Sequence, residues 1–398
     1  MRRLLLLSSL LFLPSLLCGA DTFLVLPLFD LSTSQNLDWI GDSVAEAVSE
    51  ALTDEGVLVV DREDLKEACR RLSLRPYARL TKASVIKIAE TVDATRVMYG
   101  SFEFHPVVGA LNESKGTLSF SARILNLKQM KTGEEIVELG ALEDVAALQT
   151  RIAWQALKQA SPHSATTEEE FLRNRPKVRL DAMESYVRGL GAASIEQKIA
   201  LFTKAANMAP DFMPPSFQLG LLYWNREEYR AAIEWLNKVK PPDPRFHHAA
   251  FLLGLCRFHA ADYAGAQAAF QTVADAVPLN EVFNDLGAAQ LRRELPEAVE
   301  NFRKALAGDN SDPVYHFNLG YALWRQRDFD AAAASFRSAL ERNPSDTVAT
   351  YMLDLCVQKS APRPGDSRTT DLERIKENYE ERAYRQLKAE LGSAATPK

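Results

Sequence analysis

The chain has 398 residues, of which 46% are hydrophobic and 25% are charged. These values are typical of a folded protein rather than a disordered one, and the length is sufficient for two or three domains. The formal net charge of −6 argues against a nucleic-acid-binding protein, which usually has a basic face. No Lys- and Arg-rich stretch interleaved with aromatic residues reverses that conclusion.

The amino terminus has the pattern of a secretory signal peptide. Two arginines precede an apolar run over residues 4–17, and small residues follow at 18–20. The run is too short to cross a bilayer comfortably, and Pro14 interrupts it. We therefore expect residues 1–20 to be removed on export, which predicts a protein of the periplasm or cell envelope.

The same region has a second interpretation, in which Cys18 carries a lipid. The sequence Leu16-Leu17-Cys18-Gly19 resembles a bacterial lipobox, although that motif normally has a small residue where Leu17 stands. Lipidation of Cys18 would hold the protein at a membrane. Without it, no membrane contact is predicted.

Residues 21–160 combine short apolar runs with helical patterns. The strand-like segments are 22–30, 57–60, 96–105, 117–127 and 134–140. Apolar residues recur at helical spacing over 37–52, 65–72, 85–92 and 145–157. The order β-α-β-α-α-β-β-β-α predicts a mixed sheet with helices packed on it, a sandwich-type α/β domain.

Four phrases of this domain resemble the amino-terminal domain of the TolB-like family. They are LVLPLFDLS in the first strand, IGDSVAEAVSEAL in the first helix, DREDLKEACRRL after the second strand and VDATRVMYGSF before the later strands. The resemblance spans most of residues 22–160. It implies an interaction domain that faces the cell envelope, and it brings no catalytic residues with it.

A regular repeat occupies the second half of the chain, after a polar stretch at 161–178 that we interpret as a linker. Gly220, Gly254, Gly287 and Gly320 follow one another at intervals of 34, 33 and 33 residues, each directly after a leucine. A second apolar stripe follows each glycine. This period is typical of stacked helix pairs, in which a glycine lets the two helices approach closely.

These repeats resemble the tetratricopeptide repeat (TPR), as in FQLGLLYWNREEYRAAIEWL and FNLGYALWRQRDFDAAAASFRSALERNP. The resemblance covers residues 179–360, or about five helix pairs. The first pair, around Gly189, is degenerate because its glycine and phenylalanine lie closer together than in the other units. The expected fold is thus an α/β domain followed by an all-α TPR solenoid, which implies a groove that binds a protein or peptide.

In a TPR solenoid the first helix of each pair lines the concave groove. The candidate partner-binding residues share one face of these helices and are apolar: Phe217, Leu221, Trp224, Phe251, Leu255, Phe258, Phe317, Tyr321 and Trp324. The unit around Gly287 has Asn284, Ala288 and Leu291 instead. Because Lys, Arg and Asn are nearly absent from these positions, the predicted groove is aromatic and apolar. The alternative is that several of these side chains pack against neighbouring repeats.

A last helix is predicted over residues 369–392, after a proline-containing linker at 361–368. Thr370 and Glu373 have the spacing of a capping box. The helix would have one narrow apolar stripe: Leu372, Ile375, Tyr379, Ala383, Leu387 and Leu391. Such a helix needs a surface on which to lie. We expect it to cap the end of the solenoid; the alternative is that it folds back into the groove until a partner displaces it.

No motif in the chain predicts catalysis. The six histidines have no metal-ligand spacing, and neither a phosphate-binding loop nor a GxSxG nucleophile motif is present. Cys69, Cys256 and Cys356 are too far apart for a metal motif or a disulfide framework. No enzymatic activity, cofactor or metal is therefore predicted.

The function expected from these features is that of an exported scaffold for protein–protein interaction. Its TPR groove would bind a protein or peptide partner in the cell envelope. The alternative is a lipid-anchored accessory factor of an envelope secretion or assembly machine, in which the TolB-like domain is the active part.

Overall fold

A computed structural model describes residues 22–32, 36–74, 79–107, 115–162, 167–173, 178–363, 365–379 and 384. The expected signal peptide and Cys18 lie outside these ranges, as do residues 380–383 and 385–392 of the expected last helix. Within the described ranges, no helix combines the length and the apolar composition needed to span a bilayer.

The first part of the chain forms a mixed sheet. Its strands are β1 (Thr22–Val25), β2 (Phe29–Asp30), β3 (Leu58–Val59), β4 (Arg96–Pro106), β5 (Gly116–Asn126), β6 (Lys131–Thr132) and β7 (Ile136–Ala141). The spatial order is β3-β1-β4-β5-β6, with β2 beside β4 and β7 beside β5. The pairs that involve β1 are parallel, whereas β5 is antiparallel to β4, β6 and β7. The prediction of a mixed sheet is confirmed.

Helices cover both faces of this sheet. They are α1 (Trp39–Asp54), α2 (Arg62–Arg71), α3 (Lys82–Thr91) and α4 (Val145–Ala160). Successive residues of a strand point to opposite faces. Accordingly, Phe23 and Val25 of β1 join the hydrophobic cluster of α1 and α4, whereas Leu24 joins the cluster of α2 and α3.

The rest of the described chain is helical up to Val357. The helices are α5 (Glu168–Arg173), α6 (Leu180–Gly191), α7 (Ile195–Met208), α8 (Pro214–Asn225), α9 (Tyr229–Leu236), α10 (Phe246–His259), α11 (Tyr263–Ala276), α12 (Asn280–Arg292), α13 (Ala298–Gly308), α14 (Pro313–Arg325), α15 (Phe329–Arg342) and α16 (Thr347–Val357). From α6 to α15 they pack as consecutive pairs, and α16 packs on α15. Each repeat glycine faces a large side chain of its partner helix. A Cβ atom on Gly254, for example, would lie 2.5 Å from Cε1 of Phe270.

The stretch 161–178 is more ordered than the linker expected from its polar sequence. Its described part contains α5, and Phe171 of that helix packs on Trp154 of α4 with ring centroids 5.4 Å apart. The first helix pair also packs on the sheet domain, since Tyr186 and Phe202 belong to the cluster of α1 and α4. The sheet domain and the first helix pair therefore share one hydrophobic core.

The prediction of a capping helix over 369–392 is wrong for residues 369–379, which are not helical. The hydroxyls of Thr369 and Thr370 bond to the carbonyl of Asp366 instead of capping a helix. Asp371 has φ +61°, a left-handed conformation that a helix does not accommodate. The backbone beyond it forms neither helix nor strand up to residue 379 and bonds to side chains of the repeats.

Candidate functional site

The candidate site is the concave face formed by α10, α12 and α14, here called the groove. Residues 369–379, here called the tail segment, lie in it and run from the last repeats towards the earlier ones. At one end, the Tyr321 hydroxyl donates a hydrogen bond to the Thr369 carbonyl at 2.8 Å. At the other end, the ring of Tyr379 meets that of Phe251 edge-on, with centroids 4.9 Å apart.

Side chains of the groove bind the backbone of the tail segment. Asn318 accepts from the Arg374 N–H through Oδ1 at 2.9 Å and donates to the Arg374 carbonyl through Nδ2 at 2.7 Å. Asn284 Nδ2 donates to the same carbonyl at 2.9 Å. Two residues on, Asp285 Oδ1 accepts from the Lys376 N–H at 2.8 Å. The groove thus binds the tail segment as a neighbouring strand would.

The three groove residues that bind this backbone also hold one another in place. Asn318 Nδ2 donates to Asn284 Oδ1 at 2.7 Å, and Asn284 Nδ2 donates to Asp285 Oδ1 at 3.0 Å. All three residues are fully buried beneath the tail segment. Burial raises the pKa of Asp285 well above its ordinary value, although the hydrogen bonds from Lys376 and Asn284 act in the opposite direction.

A positively charged part of the groove receives the carboxylates of the tail segment. The Glu373 side chain is 0% exposed, with an oxygen 2.8 Å from Nε of Arg292 and the other 3.9 Å from Arg325. Arg292 also pairs with Asp371. Burial raises the pKa of Glu373, whereas the charge of Arg292 lowers it to a smaller extent.

A negatively charged part of the groove receives the next residues. The Arg374 guanidinium lies 3.5 Å from the centroid of the Phe317 ring and makes two hydrogen bonds to Asp346, at 2.5 and 3.0 Å. Burial alone would raise the pKa of Asp346, but its hydrogen bonds with Arg374 and the Ala349 N–H bring the pKa below its ordinary value. Lys376 pairs with Asp312. The groove is therefore positive beside the acidic residues of the tail segment and negative beside the basic residues that follow them.

Four of the nine residues predicted from the sequence contact the tail segment or the chain leading to it. Phe251, Phe317 and Tyr321 do so as described, and Trp324 Nε1 donates to the Ser360 carbonyl at 2.9 Å. The others pack among the helices. Phe217 lies against His248, Phe258 against Tyr263, and Trp224 against Tyr229, while Leu255 is fully buried and Leu221 is half-buried in the same core.

The polar residues of the groove were not predicted to bind a partner. Asn284 was noted only because it stands where the other repeats have an aromatic residue. The prediction of an aromatic and apolar groove is wrong, because asparagine and arginine side chains that stand just beside the apolar positions considered also face the tail segment. A positional signal exists in the sequence. Arg292 and Arg325 each lie five residues after a repeat glycine, and Asp285 and Asn318 each lie two residues before one.

A cleft of about 1190 Å³ lies between the sheet domain and the repeats. Ion pairs line it, with Arg62 3.1 Å from Asp42 and Arg245 2.9 Å from Glu50. Burial raises the pKa of Glu46, and the negative charge of the nearby Glu50 adds to this effect. In the part of the chain that the structure describes, no group of three His, Cys, Asp or Glu residues is arranged to hold a metal ion.

Comparison with known proteins identifies the repeats. The tetratricopeptide repeat family model matches residues 217–281 and 287–347. The TPR repeat-containing protein MJ1428 of Methanocaldococcus jannaschii is 37% identical over 59 residues, which are 15% of this chain and 10% of that protein. Anaphase-promoting complex subunit 6 of Arabidopsis thaliana is 25% identical over 183 residues, or 44% of this chain and 33% of that protein. The chain thus spans at most a third of these curated relatives.

Among solved structures, YrrB, a TPR protein described as having an unusual peptide-binding site, is 19% identical. The match covers 42% of this chain and 87% of YrrB, with a TM-score of 0.36. The match to the tetratricopeptide repeat family model shows that the carboxy-terminal region of the chain contains such repeats, as the spacing of its glycines predicts.

Proposed function

We propose that this protein is an exported scaffold whose groove binds an extended segment of a protein partner. TPR proteins mediate protein–protein interaction and are generally non-catalytic. The observation that carries the proposal is the way in which Asn284, Asp285 and Asn318 hold an extended backbone.

Such contacts suit a peptide ligand for a physical reason. Main-chain hydrogen bonds give affinity for any extended chain, and the side-chain sites on either side select among sequences. In the groove these sites are the Arg292–Arg325 pair and the face of Phe317 beside Asp346. A partner segment would therefore be recognised by both its conformation and its charges.

The sequence supports the location and the role proposed for the sheet domain. The signal-peptide pattern at 1–20 supports export to the periplasm or envelope, and the TolB-like phrases support an envelope-facing interaction domain at 21–160. The mass of the mature protein and its partitioning into detergent test this part. A diacylglycerol on Cys18 would instead support a lipid-anchored accessory factor.

Selection of linear peptides from a display library on the full chain tests the groove. Recovered peptides should bind the wild-type protein and lose binding to the variant Asn284→Ala/Asn318→Ala. Asn301→Ala is the matched control, because Asn301 is a buried asparagine that bonds to Gln290 and not to the tail segment. Peptides that bind all three proteins equally would refute a peptide-binding groove. So would a selection that recovers none when it is repeated on the full chain with Glu373→Arg/Arg374→Glu, in which residues 373 and 374 no longer match the charges of Arg292 and Asp346.

A further inference from the structure

The tail segment has the features of a bound ligand. It has no secondary structure of its own, and the hydrogen bonds to the Arg374 N–H and carbonyl and to the Lys376 N–H come from side chains of the groove. Leu372, Ile375 and Tyr379 contact the hydrophobic core of the repeats. A peptide supplied by another protein would make contacts of the same kind.

We propose that the tail segment is an internal ligand, and that the partner has an extended segment of the same chemistry, which binds by displacing it. This inference rests on the proposed function. The pattern is an acidic residue, a basic residue directly after it and a second basic residue two positions later, as in Glu373, Arg374 and Lys376.

Charge complementarity defines this pattern. The acidic position is the most demanding, because the Glu373 side chain is completely enclosed beside Arg292 and Arg325. The first basic position requires a planar cation, since the Arg374 guanidinium both stacks on Phe317 and forms two bonds with Asp346. A lysine there would keep the charge but lose this geometry.

The repeats have cores that do not depend on the tail segment. Phe317 packs edge-on against Phe336 of the paired helix α15, with centroids 5.4 Å apart, and Phe251 of α10 packs on Phe270 of α11, with centroids 5.8 Å apart. Release of the tail segment would nevertheless uncover Phe251, Phe317 and Tyr321, a larger apolar patch than proteins usually leave open. The internal ligand therefore covers the groove when the partner is absent.

Covalent attachment makes the tail segment a strong competitor. A short tether gives an effective concentration on the order of millimolar, so a free peptide of the same sequence binds the intact chain poorly. Exchange of the two charged residues, Glu373→Arg/Arg374→Glu, places Arg beside Arg292 and Glu beside Asp346 while the composition stays the same. This variant should release the tail segment and leave every groove residue unchanged.

The experiment measures binding of a fluorescent peptide with the sequence of residues 366–379 to the full chain by anisotropy. The charge-exchanged variant should bind it at least tenfold more tightly than the wild type does. A peptide with the same exchange should not bind, and adding Asn318→Ala to the variant should weaken binding about tenfold or more. Circular dichroism verifies that the variant keeps its helices.

The outcomes separate the two proposals. A folded charge-exchanged variant that does not bind the peptide would overturn the internal ligand. Library peptides that bind through Asn284 and Asn318 but lack the acidic–basic–x–basic pattern would overturn the partner chemistry and leave the peptide groove intact. Light scattering would reveal dimers of the wild type that exchange their tail segments. In that case the occupant of the groove would be a second copy of this chain, and the proposed partner chemistry would also be overturned.

Discussion

Asn318 binds both polar groups of the Arg374 backbone, accepting its N–H at 2.9 Å and donating to its carbonyl at 2.7 Å. The preceding residue, Phe317, lies under the guanidinium of the same arginine. One turn of α14 therefore recognises the main chain and the side chain of a single residue. This arrangement places Arg374 at the centre of the interaction between the groove and the tail segment.

Removing this amide should loosen the tail segment without unfolding the repeats. Asn318→Ala leaves the N–H of Arg374 unpaired and leaves its carbonyl with Asn284 as the remaining donor, and an unsatisfied buried polar group costs about 1–3 kcal/mol. Amide hydrogen exchange over residues 369–379 of the full chain should become about tenfold faster or more. Asn301→Ala should lower overall stability and leave exchange in the tail segment close to that of the wild type. Equal protection of the tail segment in both variants would contradict the central role of Asn318.

Binding of the tail segment should depend on pH through Glu373. Its pKa is raised from the ordinary value of 4.5 in the bound state, because burial outweighs the attraction of Arg292. The bound state therefore holds the proton of Glu373 more tightly, so the contribution of this residue to binding is largest below pH 4.5 and is lost as pH rises through the raised pKa. The pKa of Asp285 is also raised in the bound state. The pKa of Asp346 shifts in the opposite direction, to below its ordinary value of 3.8. Its contribution to binding is therefore lost only as the pH falls below that value.

The measurement uses the fluorescent peptide of residues 366–379 and the charge-exchanged variant. Affinity should be higher at pH 5 than at pH 8. A peptide with Glu373→Gln should show a smaller difference, and the part that remains would report Asp285. Affinity that rises with pH above 5 would show that ion pairing, and not burial, controls the carboxylates.

The repeats could be predicted from the sequence because their determinants are local. Gly254 and Phe270 belong to one helix pair, so their spacing recurs in each unit. The tail segment could not be predicted, because Thr370 and Glu373 have the spacing of a helix start while the groups that hold Arg374 lie far away in the sequence. The packing of Tyr186 on the sheet domain could not be predicted for a different reason. An apolar outer face has the same sequence pattern whether it meets another repeat or the sheet domain.

The glycine at each helix crossing should be sensitive to enlargement. In Gly254→Leu, the Cβ atom would lie 2.5 Å from the fully buried Phe270, and overpacking of this kind typically costs about 1–3 kcal/mol. Gly191→Leu is the control, because the nearest atom to a Cβ there is Nη2 of Arg62 at 4.0 Å. Thermal unfolding should show a clearly lower Tm for Gly254→Leu than for Gly191→Leu. Similar values would mean that the helices of this pair are not held at close contact.

Tyr186 should couple the stability of the sheet domain to that of the first helix pair. Its ring is 3% exposed in the cluster shared with α1 and α4, and it meets the ring of Phe212 edge-on with centroids 5.2 Å apart. Loss of a buried aromatic ring costs about 3–5 kcal/mol. Tyr186→Ala should therefore reduce amide protection in β4 and β5 as well as in α6 and α7.

Tyr186→Phe separates packing from hydrogen bonding at the same position. Among the described residues, no hydrogen-bond partner reaches the Tyr186 hydroxyl, so its removal should change the free energy of unfolding by less than about 1 kcal/mol. Denaturant melts of the two variants give this comparison directly. If Tyr186→Ala destabilised α6 and α7 but left the protection of β4 and β5 unchanged, the sheet domain would be stable independently of the first helix pair. The shared core would then be a contact between two separate folding units. In a truly common core, loss of the Tyr186 ring would destabilise both the sheet domain and the first helix pair.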